Sequence, residues 1–274
     1  MEIPLSSIFK ISNPESYKVH LASWNHISQP LDVFVRDRSE WDVWNAWRGR
    51  RDDFNRERIF SLMDFYPETN QWLFGGVYKV NSRPPHNGLD RYQVELLEDG
   101  AAFIGRLKIA FKRPGRARVV RLENHYTSLQ VSEILRRSYS GEAFCGYDQI
   151  DIRFHLLETI FAIQRPDWKA ALENAKGVYL ITDTSNGRRY VGSVSGTDGL
   201  WSRWASYIAT GHGNNVALTE VIQAQGKEHA RKYFKFALLE HRTPKTDDQV
   251  IFDRESYWKK VLLTRDPAYG YNEN

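Results

Sequence analysis

The chain holds one cysteine, Cys145, in 274 residues. That count excludes an internal disulfide framework and a cysteine-built zinc cluster, and it fits a reducing cytoplasm. Long apolar runs are missing too: no stretch approaches the ~20 apolar residues of a membrane helix. The N-terminus carries Glu2, Pro4 and Pro14 where a secretion signal would have basic and apolar residues. The expectation is a soluble cytoplasmic protein with no membrane partner. Strong net charge is also absent. The chain is +4 overall; residues 177–274 carry 13 Lys+Arg against 11 Asp+Glu, leaving 25 against 23 for residues 1–176. Each part is therefore only +2, and any surface that attracts a polyanion must be local. Aromatic residues are abundant instead, at 14%, with nine tryptophans.

The length suits two domains with cores of their own. The first ~70 residues read as helical with breaks, with Trp41, Trp44, Trp47 and Phe54 near helical spacing and Ser39 as N-cap. The runs 72–80, 91–97, 102–111 and 116–122 are rich in Val, Ile, Phe and Tyr and are separated by SRPPHNGLD, EDG and KRPG. They read as a small antiparallel sheet or partly closed barrel. LQVSEILRRSY and YDQIDIRFHLLETIFAI read as helices. The division falls into a domain over 1–165, a linker over 166–176 and a second domain over 177–274. That last segment reads β-β-α-α-β-α, a small mixed sheet flanked by helices, so the whole is α+β.

The second domain carries polar groups at the ends of its elements. Tyr179 and Tyr190 lie on adjacent strands, Arg203 near the start of the next helix, Glu255 in the first turn of the last helix and Asn272 in the tail. One carboxylate, one arginine and phenols, without a cysteine nucleophile or a clear Ser/His/Asp set, point to metal-assisted phosphodiester hydrolysis.

These residues resemble the GIY-YIG nuclease family over roughly residues 176–274. The first motif stands as Gly177-Val178-Tyr179 and the second as Tyr190-Val191-Gly192, with ten residues between the tyrosines. Arg203, Glu255 within RESYWKKVL and Asn272 in YGYNEN match the family's arginine, metal-binding glutamate and asparagine. The resemblance implies that Glu255 holds one Mg²⁺ or Mn²⁺ and that Arg203 stabilises charge on the phosphoryl group. Tyr179 and Tyr190 share base and water-positioning work, with Tyr179 preferred as base, and Asn272 positions Glu255 or the substrate backbone. Tyr207 stands where many members have a histidine, His212 matches another polar position, and Ser193 and Ser195 replace a lysine after the second motif. Gly76-Val77-Tyr78 repeats the first motif without a partner and reads as plain sheet.

Within residues 1–165, Arg106, Lys108, Lys112, Arg113, Arg116, Arg118 and Arg121 surround a turn that can track phosphates. Lys108, Lys112, Arg113, Arg116 and Arg118 are the expected DNA contacts. Arg48, Arg50 and Arg51 form a second basic group beside tryptophans that read as core. The resulting expectation is a DNA endonuclease targeted by its first domain, of the restriction or phage-defence type, including recognition of modified bases. A homing endonuclease is the neighbouring reading and a non-catalytic DNA-binding regulator the reading of another class. Cutting both strands of duplex DNA with one site per chain requires a homodimer or two visits.

Overall fold

The computed structural model describes residues 3–86, 91–196 and 199–273. The end of SRPPHNGLD, residues 87–90, lies outside them. The chain divides into two units, Met1–Ser140 and Gly141–Asn274. The boundary at 165–176 expected from sequence falls inside the second unit.

In the first unit, β1 (Ile3–Pro4), β2 (Tyr17–Ala22), β3 (Arg58–Asp64), β4 (Gln71–Ser82), β5 (Gln93–Leu96), β6 (Leu107–Ala110), β7 (Val119–Arg121) and β8 (Gln130–Ile134) form one sheet. Its order is β1-β8-β6-β4-β3-β2-β7, with β5 on β4, and it does not close into a barrel. The 58–64 run Arg-Ile-Phe-Ser-Leu-Met-Asp has no alternation because apolar layers cover both faces of the sheet. Three strands, β1, β2 and β3, thus lie in the stretch expected to be helical. β2 and β3 are parallel, which requires a crossover; α1 (Pro30–Arg36) and α2 (Arg38–Asn45) supply it. Asp37 caps α2, accepting from the Ser39 and Glu40 amides, in place of the expected Ser39. The helix stops at Asn45, so Trp41 is buried and Trp47 exposed.

LQVSEILRRSY supplies β8, not a helix, because pairing with β6 and β1 satisfies its backbone. The basic strand-turn-strand is not a hairpin either. β6 and β7 are separated in the sheet by β4, β3 and β2, so residues 111–118 cross from one side to the edge.

The second unit holds β9 (Asp151–Arg153), α3 (Phe154–Ala162), α4 (Pro166–Leu172), β10 (Lys176–Asp183), β11 (Arg189–Val194), α5 (Gly199–Thr210), α6 (Val216–Gln225), α7 (Lys227–Tyr233), β12 (Phe234–Arg242) and α8 (Asp248–Val261). The segment taken for a linker is α4, which buries Trp168 and Leu172. The four strands run β11-β10-β12-β9 and pair antiparallel, and an isolated bridge joins Arg189 to Gly270 in parallel. Trp204, Tyr207, Phe234 and Phe236 are buried in this unit's core. Burial of one such side chain stabilises by about 1.5–3 kcal/mol.

Candidate active site

Strand register explains the two motif tyrosines. In the β10–β11 hairpin Tyr179 is opposite Gly192 and Tyr190 opposite Ile181, which puts all four on one face of the sheet. The tyrosine rings meet diagonally, centroids 6.5 Å apart. A Cβ at residue 192 would lie 2.5 Å from the Tyr179 hydroxyl, so glycine is required there to admit the ring. Gly177 is required for a different contact, since a Cβ on it would meet the Glu240 carbonyl at 2.0 Å. The solitary Gly76-Val77-Tyr78 lies in β4 beside a bulge, where Tyr78 donates to Asp42 at 2.7 Å.

Helix α5 covers the tyrosine face. Leu200, Trp204 and Tyr207 recur at helical spacing and are fully buried, and this aims Arg203 at the same place. Arg203 Nε donates to Tyr179 at 3.0 Å, Nη2 to Tyr207 at 3.1 Å and Nη1 to the Gly213 carbonyl at 2.8 Å. The two phenol oxygens are 3.0 Å apart. Three of the five guanidinium N–H groups are thereby engaged inside the protein, which fixes the fork in orientation. Burial, followed by the Tyr190 phenol, raises Tyr179 well above an ordinary tyrosine, and Arg203 does not reverse it. Burial also raises Tyr207, with Tyr179 adding to it. A fully buried phenol with a raised pKa is a poor base, contrary to the preference for Tyr179. Tyr190 keeps 9% of its surface exposed and sits nearer solvent.

Glu255 belongs to α8, which begins at Asp248, so it lies two turns in and not in the first turn. It accepts a hydrogen bond from Ser193 and pairs with Lys259 at 2.7 Å. Side chains alternate along β11, so Ser193 and Glu255 occupy the face opposite Tyr190 and Gly192. Because β11 is an edge strand, the two faces meet at that edge.

Asn272 does not reach Glu255. Its amide group brackets Val191, donating to the carbonyl at 2.8 Å and accepting from the N–H at 2.9 Å. With Arg189 paired to Tyr269 and Tyr271, the tail covers the β11 edge as far as Val191. The Gly192–Val194 end lies beyond this pairing. His212 Nδ1 accepts from the Asn214 amide at 3.1 Å and lies 2.9 Å from Thr219 Oγ1, next to the Gly213 that binds Arg203.

A single carboxylate with a neighbouring hydroxyl suits Mg²⁺ or Mn²⁺ held mainly by water and phosphate oxygens. Among the described residues no three His, Cys, Asp or Glu side chains come together. Lys259 already pairs with Glu255, so a cation here would draw its remaining ligands from water and phosphate oxygens.

The expected DNA contacts of the first unit divide. Lys108 is buried and paired with Glu68 at 2.5 Å and Glu133 at 2.9 Å, so its charge is spent internally. Arg113 donates to Ser23, Lys112 and Arg116 are exposed, and Arg118 stacks on Trp47.

Sequence reading missed a buried clamp behind the hairpin. Asp183 accepts from Tyr271 at 3.0 Å and from Ser185, and lies 2.8 Å from His229 Nε2. No motif marks it; only the fold brings residues 183, 229 and 271 together. Burial works to raise the Asp183 pKa, but Ser185, His229 and Tyr271 prevail and hold it below the ordinary carboxylate value. A depressed folded pKa means stability present above the unfolded value of ~3.9 and lost as pH falls through the folded one. Thermal melts are expected to show an acid limb below about pH 4 that Asp183→Asn removes. At neutral pH that variant should cost about 1–3 kcal/mol.

Two solved structures of the catalytic domain of I-TevI, described as an intron endonuclease and as a homing endonuclease, align with 36% of this chain. Identities are 25% and 28%, coverage of the solved chains is 94% and 98%, and the TM-score is 0.28 in both. No family model matches the chain, and no curated protein matches it. Among the described residues no helix is long and apolar enough to cross a membrane.

Proposed function

We propose that the second unit is a GIY-YIG-type nuclease centre that hydrolyses DNA phosphodiesters with Mg²⁺ or Mn²⁺. In this reading the first unit selects the DNA, as in a restriction or phage-defence enzyme. The observation that carries it is the Arg203 fork of α5, anchored beside Tyr179, Tyr190 and Tyr207 on one face of the β10–β11 hairpin, while α8 sets Glu255 against Ser193 on the other face.

A phosphodiester lying across the β11 edge at Gly192 meets the two sides together. Arg203, held by Tyr179, Tyr207 and Gly213, turns its remaining N–H groups to the phosphoryl oxygens, where negative charge grows. Its orientation is set before substrate arrives, so no reorganisation is needed during reaction. Tyr190 positions the attacking water and receives its proton. Glu255, oriented by Ser193, would hold the cation, which when bound polarises the phosphoryl oxygen and helps the leaving oxygen depart. Asn272 keeps Tyr190 and Gly192 in register by gripping Val191 between them. Lys112, Arg113, Arg116 and Arg118 contact the DNA backbone.

Incubating supercoiled plasmid with the protein and Mg²⁺ should give nicked circles, and chelation should stop the reaction. Binding without any nicking across Mg²⁺ and Mn²⁺ would leave a non-catalytic DNA-binding protein. Matched unmodified and cytosine-modified DNAs test the targeting part, where preference for the modified DNA is expected.

A further inference from the structure

Trp47 stands out among the nine tryptophans because 49% of it is exposed, directly after the helix that buries Trp41. Its loop is fixed. Arg48, from the second basic group, turns inward, donating to the Pro84 carbonyl at 3.1 Å and to the carbonyls of Gly49 and Arg51 at 2.6 and 2.5 Å. Tyr92 N–H adds a bond to the Ala46 carbonyl. A Cβ on Gly49 would strike the Trp47 ring at 2.4 Å. The indole is thus displayed by a wound loop, with little ordering left to be done on contact.

The Arg118 guanidinium lies 4.3 Å from the centre of that ring and opens a row of cations along β7. Arg121 is paired across the strands with Lys18, and Arg116 is exposed at the turn before it. Arg56 cancels its charge in a two-pronged pair with Glu123. Burial lowers the Lys18 pKa, and Arg56 and Arg121 lower it further. Burial pushes His20, on the same face, down to about 4, with Arg118 contributing. Asp53 and Glu123 offset part of the charge around Lys18, which leaves Lys18, Arg116, Arg118 and Arg121 as the cations of this edge.

We propose that the β7 edge is the DNA-binding face of the first unit, with phosphates along Lys18, Arg116, Arg118 and Arg121 and an unstacked base against Trp47. The choice of DNA as the polyanion rests on the nuclease reading. The competing role for such a row is protection of an edge strand from pairing with other chains.

The test is fluorescence anisotropy of a labelled single strand and of its duplex over a range of salt concentrations, without divalent metal, using the full chain. Trp47→Ala should weaken single-strand binding about 10-fold, and the duplex less, with an unchanged salt slope, because stacking releases no counterions. Trp47→Phe should restore most of the loss. Lys18→Gln/Arg121→Gln should weaken both DNAs and lower the salt slope by about 2. Unchanged affinities and slopes, with new aggregation in the double variant, would overturn the proposal and leave edge protection. If these variants bind normally while the parent nicks DNA, this face fails and the nuclease reading stands. If they bind weakly and the parent never nicks, the reverse holds.

Discussion

Glu255→Gln is expected to abolish plasmid nicking, by about 10³-fold or more, while DNA binding persists. Glutamine keeps the shape and still accepts from Ser193, but it removes the charge that anchors a hard cation. The substitution also deprives Lys259, which is 6% exposed in its side chain, of the Glu255 counter-charge. Breaking a buried pair from one side can cost about 3–5 kcal/mol, so the inactive variant could be an unfolded one. Glu255→Gln/Lys259→Met separates the two causes by removing the ammonium while keeping its stem. The double variant should melt near the parent and stay inactive. Recovery of nicking in it would show that Glu255 matters only for folding. A Mn²⁺ titration followed by electron paramagnetic resonance gives a readout independent of turnover. In the presence of uncut DNA the parent should retain Mn²⁺ and the double variant should not.

The candidate site was more legible than the scaffold around it because its side chains come from local patterns. Tyr179, Gly192 and Tyr190 share a face as soon as the hairpin is granted, and Arg203 to Tyr207 is one helical turn. Glu255 with Lys259 follows the same i,i+4 logic, since a pair at that spacing on one helix needs no tertiary information. What could not be read is whatever depends on distant partners. Asn272 was expected to position Glu255 or the substrate backbone, and the tail, running beside β11, delivers it to Val191 instead of Glu255. The role of Lys108 was misjudged because Glu68 arrives from the turn before β4 and Glu133 from β8, neither predictable from the 106–122 stretch. β3 was hidden because a strand covered on both faces loses its alternation, and β8 because strand pairing overrode a weak helical pattern.

Exchanging the two motif phenols for phenylalanine should give unequal results, with the larger catalytic loss at Tyr190. Tyr190→Phe removes the hydroxyl nearer solvent and is expected to lower kcat about 10²-fold or more, the usual worth of a positioned proton acceptor. Tyr179 is fully buried, and its hydroxyl is already occupied by Arg203 and Tyr207. Deprotonating it would place a phenolate where burial opposes charge, which is why its pKa is raised. Raising the pKa reduces the phenolate fraction at every pH below it, which disfavours Tyr179 as the base. Tyr179→Phe should instead loosen the Arg203 fork by stranding Nε, at about 1–3 kcal/mol of stability, with a smaller loss of kcat. Rate measured against pH decides the assignment. The rise of kcat with pH that reports the base should survive in Tyr179→Phe. Its loss in Tyr179→Phe alone would return the proton to the buried phenol and require that bound DNA and cation overcome its burial.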